Sequence, residues 1–407
     1  MTTEDMYVLK KEALKNIEKF QLEEALNDFN YKIDKDGNLL IPYKHKGYTC
    51  SDKKEVFEDS NVQALSFFSG AGGLDIGAQL AGVKVLSTLD FYEDSVETIK
   101  SNSFFDHSLH LNKDINDVKG IDFSDIIKKN NPSKLILLGG PPCQPFSKAG
   151  YWVTNKKRKS YDDPRNMIEQ YFRMISEIKP DGFVLENVES IVHPSNKHAV
   201  ENIIDHIESL GYKYTILRLN SADYGIPQKR KRVFFLATKK DIKAELEITH
   251  CDIKKTKDNP DLLPYERVID WIGKFDDPVY IDEKYVNTSG KWGEELTWVP
   301  PGKNYIALSE KAGHPKPTFV AGKRYWSSLL KLHPGLPSWT IIASPGHWEG
   351  PFHWNNRRLN IREAAALQTF PDDYLFSGSL RSQRMQIGNA VPPLLAKIII
   401  EELRRWL

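Results

Sequence analysis

The chain has 407 residues, of which 40% are hydrophobic and 27% are charged, a composition typical of a folded globular protein rather than a disordered one. Its 56 basic and 55 acidic residues leave a net charge of +1, which argues against a polybasic protein that coats nucleic acid. Three cysteines without a CxxC spacing argue against a disulfide framework and against a cysteine-rich zinc site.

The chain start, MTTEDMYVLKKE, lacks the apolar stretch of a signal peptide. The longest apolar runs are far shorter than the roughly 20 residues that cross a bilayer. These features predict a soluble, cytoplasmic protein that does not associate with membranes.

Residues 1–60 form an extension in which no motif indicates a function. Apolar residues from Met6 to Phe29 recur at helical spacing and predict a helix. Residues 31–43, YKIDKDGNLLIPY, predict a hairpin that turns at Asp36-Gly37, and the charged segment 51–61 predicts a linker.

Residues 61–245 alternate between short apolar segments and helical patterns, which predicts an α/β domain with an open, mostly parallel sheet. The segments 212–219 and 232–238 follow each other without a helix and predict an antiparallel pair at the sheet edge. The helices are predicted over residues 73–81, 92–101, 165–178 and 197–209.

Residues 246–375 are rich in proline, glycine and tryptophan and predict a second, smaller, loop-rich domain. Its tryptophans could stack on nucleic-acid bases or anchor a small core, and they are Trp326, Trp339, Trp348 and Trp354. Residues 376–407 end in a helical pattern whose apolar face predicts packing back onto the first domain.

A strand, a glycine-rich turn and a helix are predicted over residues 64–82, ALSFFSGAGGLDIGAQLAG, and such a turn lets a ligand approach the backbone. Asp90 lies 20 residues after Gly70, at the end of the next predicted strand, where an acid can accept ribose hydroxyls. Asp75 stands where a dinucleotide fingerprint requires glycine, which disfavours a nicotinamide cofactor. Phe68 and Phe91 could sandwich an adenine ring or belong to the core.

The loop GGPPCQPFSKAG, residues 139–150, follows a buried strand, and its prolines make it stiff. Such a loop presents Cys143 at the carboxyl edge of the sheet, where open α/β sheets bind ligands. A cysteine is a strong nucleophile once ionised, and the alternative is a buried structural cysteine.

Two further motifs carry charged side chains that suit the same edge. FVLENVESI ends an apolar strand and delivers Glu186 in a desolvated position, which equips it to donate a proton. QKRKR, residues 228–232, opens a strand, and alternation places Gln228, Arg230 and Arg232 on one face, where the guanidinium groups suit an anionic or carbonyl partner.

Local charge and histidine spacing leave two weaker indications. The basic stretches 148–165 and 229–243 could be solvated loops or surfaces that meet phosphates. His193 and His198 lack a third ligand, which favours a surface loop over a zinc site.

In this order, FSGAGG, GPPCQPFS, ENV, QKRKR, RRLNIREAAALQTFPDDY and QIGNAVPP resemble the motif series of DNA cytosine C5-methyltransferases of the bacterial restriction-modification type. The resemblance covers most of residues 62–245 and 355–407. It implies a Rossmann-like, S-adenosylmethionine-dependent methyltransferase fold, and it implies that the unmatched residues 246–340 belong to a target-recognition domain. No metal is implied.

The resemblance also implies roles at the site of reaction. Cys143 would attack C6 of cytosine, Glu186 would protonate N3, Arg230 and Arg232 would orient the base, and Pro142 would help to position it. The S-adenosylmethionine pocket would be lined by Phe68, Gly70, Gly72, Asp90, Phe91, Asp114, Ile115 and Asn389. The family often has Glu-Trp where this chain has Asp90-Phe91, and that pair keeps an acid and an aromatic ring.

The implied partner is double-stranded DNA, from which the target cytosine must be flipped out. The basic segment after Cys143 could close over the DNA as a lid. A restriction endonuclease would act separately, and the chain would act as a monomer. The alternatives are an RNA cytosine methyltransferase, a catalytically inactive DNA-binding module and an unrelated nucleotide-binding oxidoreductase.

Overall fold

The computed structural model describes residues 5–27, 29–50, 61–142, 167–320, 322 and 325–407. The predicted nucleophile Cys143, the basic stretch 148–165 with its proposed lid, and residues 51–60 of the predicted linker lie outside these ranges. Among the described residues, no helix has the length and apolar character needed to cross a membrane.

The N-terminal extension begins with a strand where the sequence predicted a helix. Strand β1 (Asp5–Leu9) pairs antiparallel with β3 (Leu39–Tyr43), and helix α1 covers only Lys19–Ala25. The helix prediction from Met6 was wrong because residues 5–9 alternate between exposed and buried side chains, the period of a strand. The predicted hairpin is confirmed, since β2 (Lys32–Ile33) pairs with β3.

A seven-stranded sheet forms the centre of the molecule, in the order β6-β5-β4-β7-β8-β11-β9. The strands β4 to β8 run parallel, whereas β11 runs antiparallel to both of its neighbours. The predicted antiparallel pair at the sheet edge is therefore confirmed. The strands are β4 (Val62–Phe67), β5 (Lys84–Asp90), β6 (Leu109–Asn112), β7 (Lys134–Gly139), β8 (Gly182–Val188), β9 (Lys213–Asn220) and β11 (Lys231–Thr238), and the short β10 (Gln228–Lys229) precedes β11.

Helices cover both faces of the sheet, as expected when buried strands are apolar on both sides. On one face, α2 and α12 close a core with the even-numbered residues of β8 and β11, and α5 and α6 close a second core on the other face. These helices are α2 (Gly73–Leu80), α3 (Glu93–Lys100), α4 (Ser124–Asn130), α5 (Ile168–Ile178), α6 (Lys197–Ser209) and α12 (Pro393–Arg404).

Glycines let α2 and α12 approach each other closely. A Cβ atom built on Gly77 would lie 2.3 Å from Cβ of Ala396 and 2.7 Å from the carbonyl oxygen of Pro393. A Cβ atom on Gly73 would lie 2.2 Å from the carbonyl oxygen of Val391. The chain segment before α12 is therefore held against the start of α2, beside the glycine-rich turn.

The stretch from 246 to 375 consists mainly of loops and short elements. Strand β14 pairs parallel with β10 and so joins this stretch to the strand that leads into β11. Its elements and the next helix are β12 (His250–Cys251), β13 (Leu263–Pro264), α7 (Ile269–Ile272), α8 (Glu283–Val286), α9 (Lys291–Leu296), β14 (Ser338–Trp339), α10 (Ile361–Leu367) and α11 (Leu380–Asn389).

The N-terminal extension packs against this loop-rich stretch. The hydroxyl of Tyr7 donates to Asp276 and accepts from the indole of Trp354, 2.9 Å away. Nδ2 of Asn356 donates to the carbonyl of Ala13 at 2.9 Å. Segments far apart in the sequence therefore share one apolar core with α7 and α10.

Lys331 is fully buried beside this junction. Its ammonium group donates to Oδ1 of Asn356 at 2.6 Å, and burial lowers the pKa of Lys331 to about 7. A buried ammonium group with little hydrogen bonding favours its neutral form because desolvation penalises the charge.

We expect Gly77→Ala to lower the free energy of unfolding by about 1–3 kcal/mol because the new methyl group would overlap with α12. The helix propensity of alanine acts in the opposite direction, by at most about 1 kcal/mol. Urea denaturation measures the difference, with Gly322→Ala as the control because its nearest neighbouring atom lies 3.8 Å away. Equal losses in the two variants would show that the helices can separate without cost.

We expect the free energy of unfolding of the wild type to rise relative to that of Lys331→Met as pH rises from 7 to 10. The unfolded chain keeps the lysine proton up to its ordinary pKa of 10.5, whereas the folded chain releases it near 7. Unfolding free energy then rises by up to about 1.4 kcal/mol per pH unit in this window. Urea denaturation at several pH values tests this, and a constant difference between the two proteins would contradict it.

Candidate functional site

Among the described residues, Glu186, Arg232 and the start of the loop after β7 lie together at one edge of the central sheet. Parallel strands β4, β5, β7 and β8 all end at this edge, where ligands bind in open α/β sheets. Because β11 runs in the opposite direction, its first residues lie at the same edge. The reversed strand therefore brings Arg232 to the place where β8 delivers Glu186.

Glu186 and Arg232 form an ion pair there. In the strand register, Arg232 lies opposite Val188 and Phe234 lies opposite Glu186, so the two charged side chains are diagonal neighbours on one face. Nε of Arg232 is 2.8 Å from Oε1 of Glu186, and the side chains are 13% and 12% exposed.

Burial raises the pKa of Glu186, although the charges of Arg232 and Arg230 oppose the rise. A carboxyl group with a raised pKa can hold and deliver a proton near neutral pH. The neighbouring guanidinium group has further N–H donors for a carbonyl oxygen. The pair can therefore protonate one atom of a planar polar ring and bind another.

Arg230 is fully buried and has different partners. Its guanidinium donates to the carbonyls of Gly388 at 2.8 Å, Ala390 at 2.9 Å and Ile341 at 3.3 Å. These carbonyls lie at the end of α11 and two residues after β14, so Arg230 ties the loop-rich stretch and the C-terminal segment to the sheet. The sequence predicted a base-orienting role for both arginines, whereas the contacts of Arg230 are those of a structural anchor.

The loop after β7 passes beside the Glu186 carboxylate. A Cβ atom on Gly140 would lie 3.2 Å from Oε2 of Glu186, so glycine permits this close approach. Pro142 is exposed at the same edge. Cys143 is the next residue in the chain and lies outside the described ranges, so its thiol has no described contacts.

The glycine-rich turn after β4 contacts the end of β5. Phe68, Gly70 and Gly72 have positive φ values of 56°, 54° and 81°, a conformation that favours glycine and forms a tight turn. The amide of Gly70 donates to Oδ2 of Asp90 at 2.7 Å, and the amide of Tyr92 donates to Oδ1 at 2.9 Å. A Cβ atom on Gly70 would meet open space, so this face of the turn is accessible.

The two phenylalanines have different environments. Phe91 is 65% exposed, which removes the core alternative for this residue, whereas Phe68 packs against the core on the α5 face of the sheet. Burial raises the pKa of Asp90, which lies between them at the end of β5. An acid beside an exposed ring and an open peptide turn suits a nucleoside, whose ribose and base need these two kinds of contact.

The other predicted ligand residues lie after β6 and at the end of α11. Asp114 caps a short helical turn after β6 by accepting from the amide of Asn116 at 2.8 Å, and Ile115 is buried behind it. Asn389 is exposed at the end of α11, between the two carbonyls that Arg230 binds. Val391, two residues later, contacts Gly73 at the start of α2.

Two features of the site were not found by reading the sequence. Gln228 is buried and bonds to Gln368 at 2.9 Å and to the amide of Ile341 at 2.9 Å, which extends the anchor formed by Arg230. Asp75 is fully buried in the first turn of α2, where desolvation raises its pKa to about 7. The sequence singled out Asp75 as a departure from the dinucleotide fingerprint but gave no sign that its carboxyl group is buried, apart from its place in an otherwise apolar helix.

A second cluster of charged residues lies in the loop-rich stretch. Asp276, His353 and Glu363 lie close enough to hold a metal ion. However, the guanidinium group of Arg357 donates to Asp276 and, at 2.6 Å and 2.9 Å, to both oxygens of Glu363. A cation already occupies these carboxylates, so the cluster is an ion-paired support for α10.

The family described as C-5 cytosine-specific DNA methylase matches residues 62–405. The type II methyltransferase M.SacI of Streptomyces achromogenes is 32% identical over 379 residues, which cover 85% of this chain and 93% of the relative. The type II methyltransferase M1.HphI of Haemophilus parahaemolyticus is 33% identical over 347 residues, which cover 83% of this chain and 85% of the relative.

A solved structure has a similar fold. It is a prophage-encoded Escherichia coli protein described as a DNA modification methyltransferase, with a TM-score of 0.56 and 24% identity, and the match covers 85% of this chain and 99% of that chain. At this level of identity the likeness concerns the fold alone. The predicted Rossmann-like methyltransferase fold is confirmed.

We expect Arg230→Gln to destabilise the protein more than Arg232→Gln does, by at least about 2 kcal/mol, because it leaves buried carbonyls without donors. Loss of Arg232 leaves only Glu186 unpaired, and that group can take up a proton. Urea denaturation of the two variants at neutral pH provides the measurement. A larger loss for Arg232→Gln would mean that the ion pair, rather than Arg230, is the anchor.

Proposed function

The chain belongs to the family of C-5 cytosine-specific DNA methylases, and from this membership we propose that it methylates C5 of a cytosine flipped out of a specific short DNA sequence. The observation that carries the proposal is the buried Glu186–Arg232 pair beside the Gly140–Pro142 loop. Family membership overturns the alternative of a nucleotide-binding oxidoreductase.

The glycine-rich edge fits S-adenosylmethionine, the methyl donor that the family implies. The open face of Gly70 accommodates an adenosyl group, Asp90 can accept its ribose hydroxyls, and the exposed ring of Phe91 can stack on adenine. When bound, S-adenosylmethionine supplies an electrophilic methyl group to the activated C5 of cytosine. The remaining residues proposed to line this pocket are Phe68, Gly72, Asp114, Ile115 and Asn389.

Cytosine C5 is a weak nucleophile because the ring is aromatic and electron-poor. The thiolate of Cys143 would form a bond to C6, and the displaced electron pair would move toward N3, where Glu186 donates its proton. Burial raises the pKa of Glu186, which supports this acid role because a raised pKa makes it easier for the carboxyl group to take up a proton and donate it. After methylation, loss of the C5 proton expels the thiolate and restores the aromatic ring.

Arg232 is the residue that we assign to the O2 carbonyl of the base. It adjoins Glu186, and its unused N–H groups can hold O2 while N3 is protonated. Arg230 would act through its backbone contacts and so position Arg232 rather than touch the base. Pro142 would form part of the wall against which the base rests.

The proposed substrate is double-stranded DNA, and the target base must leave the duplex because the reacting groups lie at a sheet edge within the protein surface. The relatives M.SacI and M1.HphI are named type II methyltransferases. By that likeness, we assign the chain to a restriction-modification system in the cytoplasm, where it would act as a monomer and a restriction endonuclease would act separately.

The first experiment is bisulfite sequencing of plasmid DNA from a host that lacks cytosine methylation and expresses this chain. Protected cytosines in one short recurring sequence support the proposal and identify that sequence. Soluble protein without protected DNA would contradict it and favour the RNA substrate or the inactive module. Methylation of RNA in the same cells would distinguish these two alternatives.

We expect Cys143→Ala to abolish methyl transfer and to leave DNA binding intact.

We expect Glu186→Gln to lower kcat by about 10²–10⁴-fold because an amide cannot donate the proton to N3. Glu189→Gln is the matched control, since Glu189 lies at the surface near Arg218 and Lys231. Single-turnover assays with radiolabelled methyl donor provide the rates, and an equal loss for both glutamate variants would contradict the assignment of Glu186.

A further inference from the structure

A small cavity lies between α8, α11 and the loop that precedes α10. Arg384 belongs to its buried floor and Arg358 to its partly exposed rim, so the cavity opens to the surface between the loop-rich stretch and the C-terminal segment. Its volume is about 20 Å³, which is roughly the space of one water molecule. We call it the arginine cavity, and it is lined by Tyr285, Pro345, Glu349, Pro351, Phe352, Arg358, Leu359 and Arg384.

The charge of Arg384 is buried without a partner. The residue is 7% exposed. Among the described residues, its Nε has no hydrogen-bond partner, and no carboxylate forms an ion pair with its guanidinium group. By contrast, the guanidinium group of the buried Arg230 donates to three backbone carbonyls. An unpaired buried charge destabilises the folded state, so folding alone does not account for Arg384.

A second positive charge lies beside the same cavity. The guanidinium carbon of Arg358 is 5.8 Å from the centroid of the Phe352 ring, and the group donates to the carbonyl of His347. Burial lowers the pKa of Arg384, Tyr285 opposes this change, and the charge of Arg358 lowers the pKa further. Two guanidinium groups that repel each other in a buried place attract an anion.

The charge and the size of the cavity restrict the anion that fits. Among the residues that line it, only Glu349 carries a carboxylate, which accepts from the hydroxyl of Ser327 at 2.7 Å and from the amide of Gly346 at 3.1 Å. Two positive charges and one negative charge leave one positive charge, which suits a monoanion. Space for one water-sized group suits a single anionic oxygen whose parent group stays outside. A DNA phosphodiester has both properties, because it carries one negative charge and exposes its oxygens on the duplex surface.

The backbone around the arginine cavity is held in place. Phe352 and Arg358 form an antiparallel bridge on one side. On the other side, Arg384 lies one helical turn before Gly388 in α11, and the carbonyl of Gly388 accepts from Arg230 at 2.8 Å. Both sides of the cavity are therefore fixed by contacts within the protein, and one of them is tied to the sheet through Arg230.

We propose that Arg358 and Arg384 bind one phosphodiester of the DNA backbone, with an anionic oxygen in the arginine cavity. The identity of the ligand rests on the proposed function. Guanidinium groups suit this role because their planar N–H donors match phosphate oxygens. The contact neutralises the buried charge of Arg384 and positions the duplex without reading its sequence.

The first test measures affinity for a fluorescently labelled duplex at several salt concentrations. Arg384→Met removes the buried charge and is expected to lose about 10-fold in affinity. The slope of log affinity against log salt should become shallower by about 0.9, the value for one phosphate contact. Arg381→Met is the matched control, since Arg381 is exposed on the same helix, and it is expected to change the slope less. Equal changes in the two variants would overturn the inference, because they would reflect net charge alone.

The second test identifies the phosphate. A series of duplexes with the mapped methylation sequence carries one uncharged methylphosphonate at a time in place of a phosphodiester. Substitution at one position is expected to weaken binding by the wild type about 10-fold and to have no further effect on Arg384→Met. A variant that responds to every position as the wild type does would refute the contact.

Thermal unfolding without DNA shows whether Arg384→Met is folded, and Arg358→Gln, at the rim, repeats both binding tests if it is not. Sodium phosphate and sodium chloride of equal ionic strength then distinguish a free anion from DNA. We expect equal melting temperatures of the wild type in the two salts, because the cavity has no room for a whole phosphate ion. A higher melting temperature in phosphate, with unchanged DNA binding by Arg384→Met, would overturn the assignment to DNA.

These measurements need no methyl transfer, so they separate this inference from the proposed function. A wild type that methylates the plasmid, while Arg384→Met keeps its affinity and salt slope, refutes the phosphodiester site alone. A wild type that binds DNA through Arg384 without methylating it refutes the proposed function and retains the site. A duplex of arbitrary sequence serves as the probe in that second case.

Discussion

The reversed direction of β11 is the constraint on which the rest of the site depends. In an all-parallel sheet, the start of the last strand would lie at the edge opposite to the ends of its neighbours. Because β11 is antiparallel to β8, Arg232 lies diagonal to Glu186, and their charges meet in a place that largely excludes water. The same arrangement places a carboxyl group whose pKa is raised by burial beside a guanidinium group that carries several N–H donors.

The position of this pair is stabilised by buried contacts that reach into the C-terminal segment. Arg230 binds three carbonyls from two parts of the chain, and Gln228 joins the same network through Gln368. In helix α2, Gly73 and Gly77 allow the segment before α12 and α12 itself to pack directly on this helix. The glycine-rich turn and the sheet edge that carries Glu186 and Arg232 are therefore supported by the same loop around residues 388–391.

The loop-rich stretch is held from the other side by the N-terminal extension. Tyr7 joins Asp276 to Trp354, and Arg357 joins Asp276 to Glu363 at the start of α10. Short elements cannot form a large core of their own, so ion pairs and a strand from the distant N-terminus stabilise them. The loop-rich stretch so fixed holds two tryptophan rings, Trp326 and Trp339, at its surface.

The sequence by itself determined the strands and helices of the sheet domain and supplied the candidates for the reactive side chains, because period, glycine turns and motif spacing are local properties. Only the tertiary structure separated Arg230 from Arg232, since both occur in QKRKR and their roles depend on distant carbonyls. It also replaced a predicted helix at Met6 with a strand, because pairing with β3 outweighs local periodicity. Trp339 is at the surface and Trp354 is in the core for the same reason: burial depends on which distant segments pack against each ring.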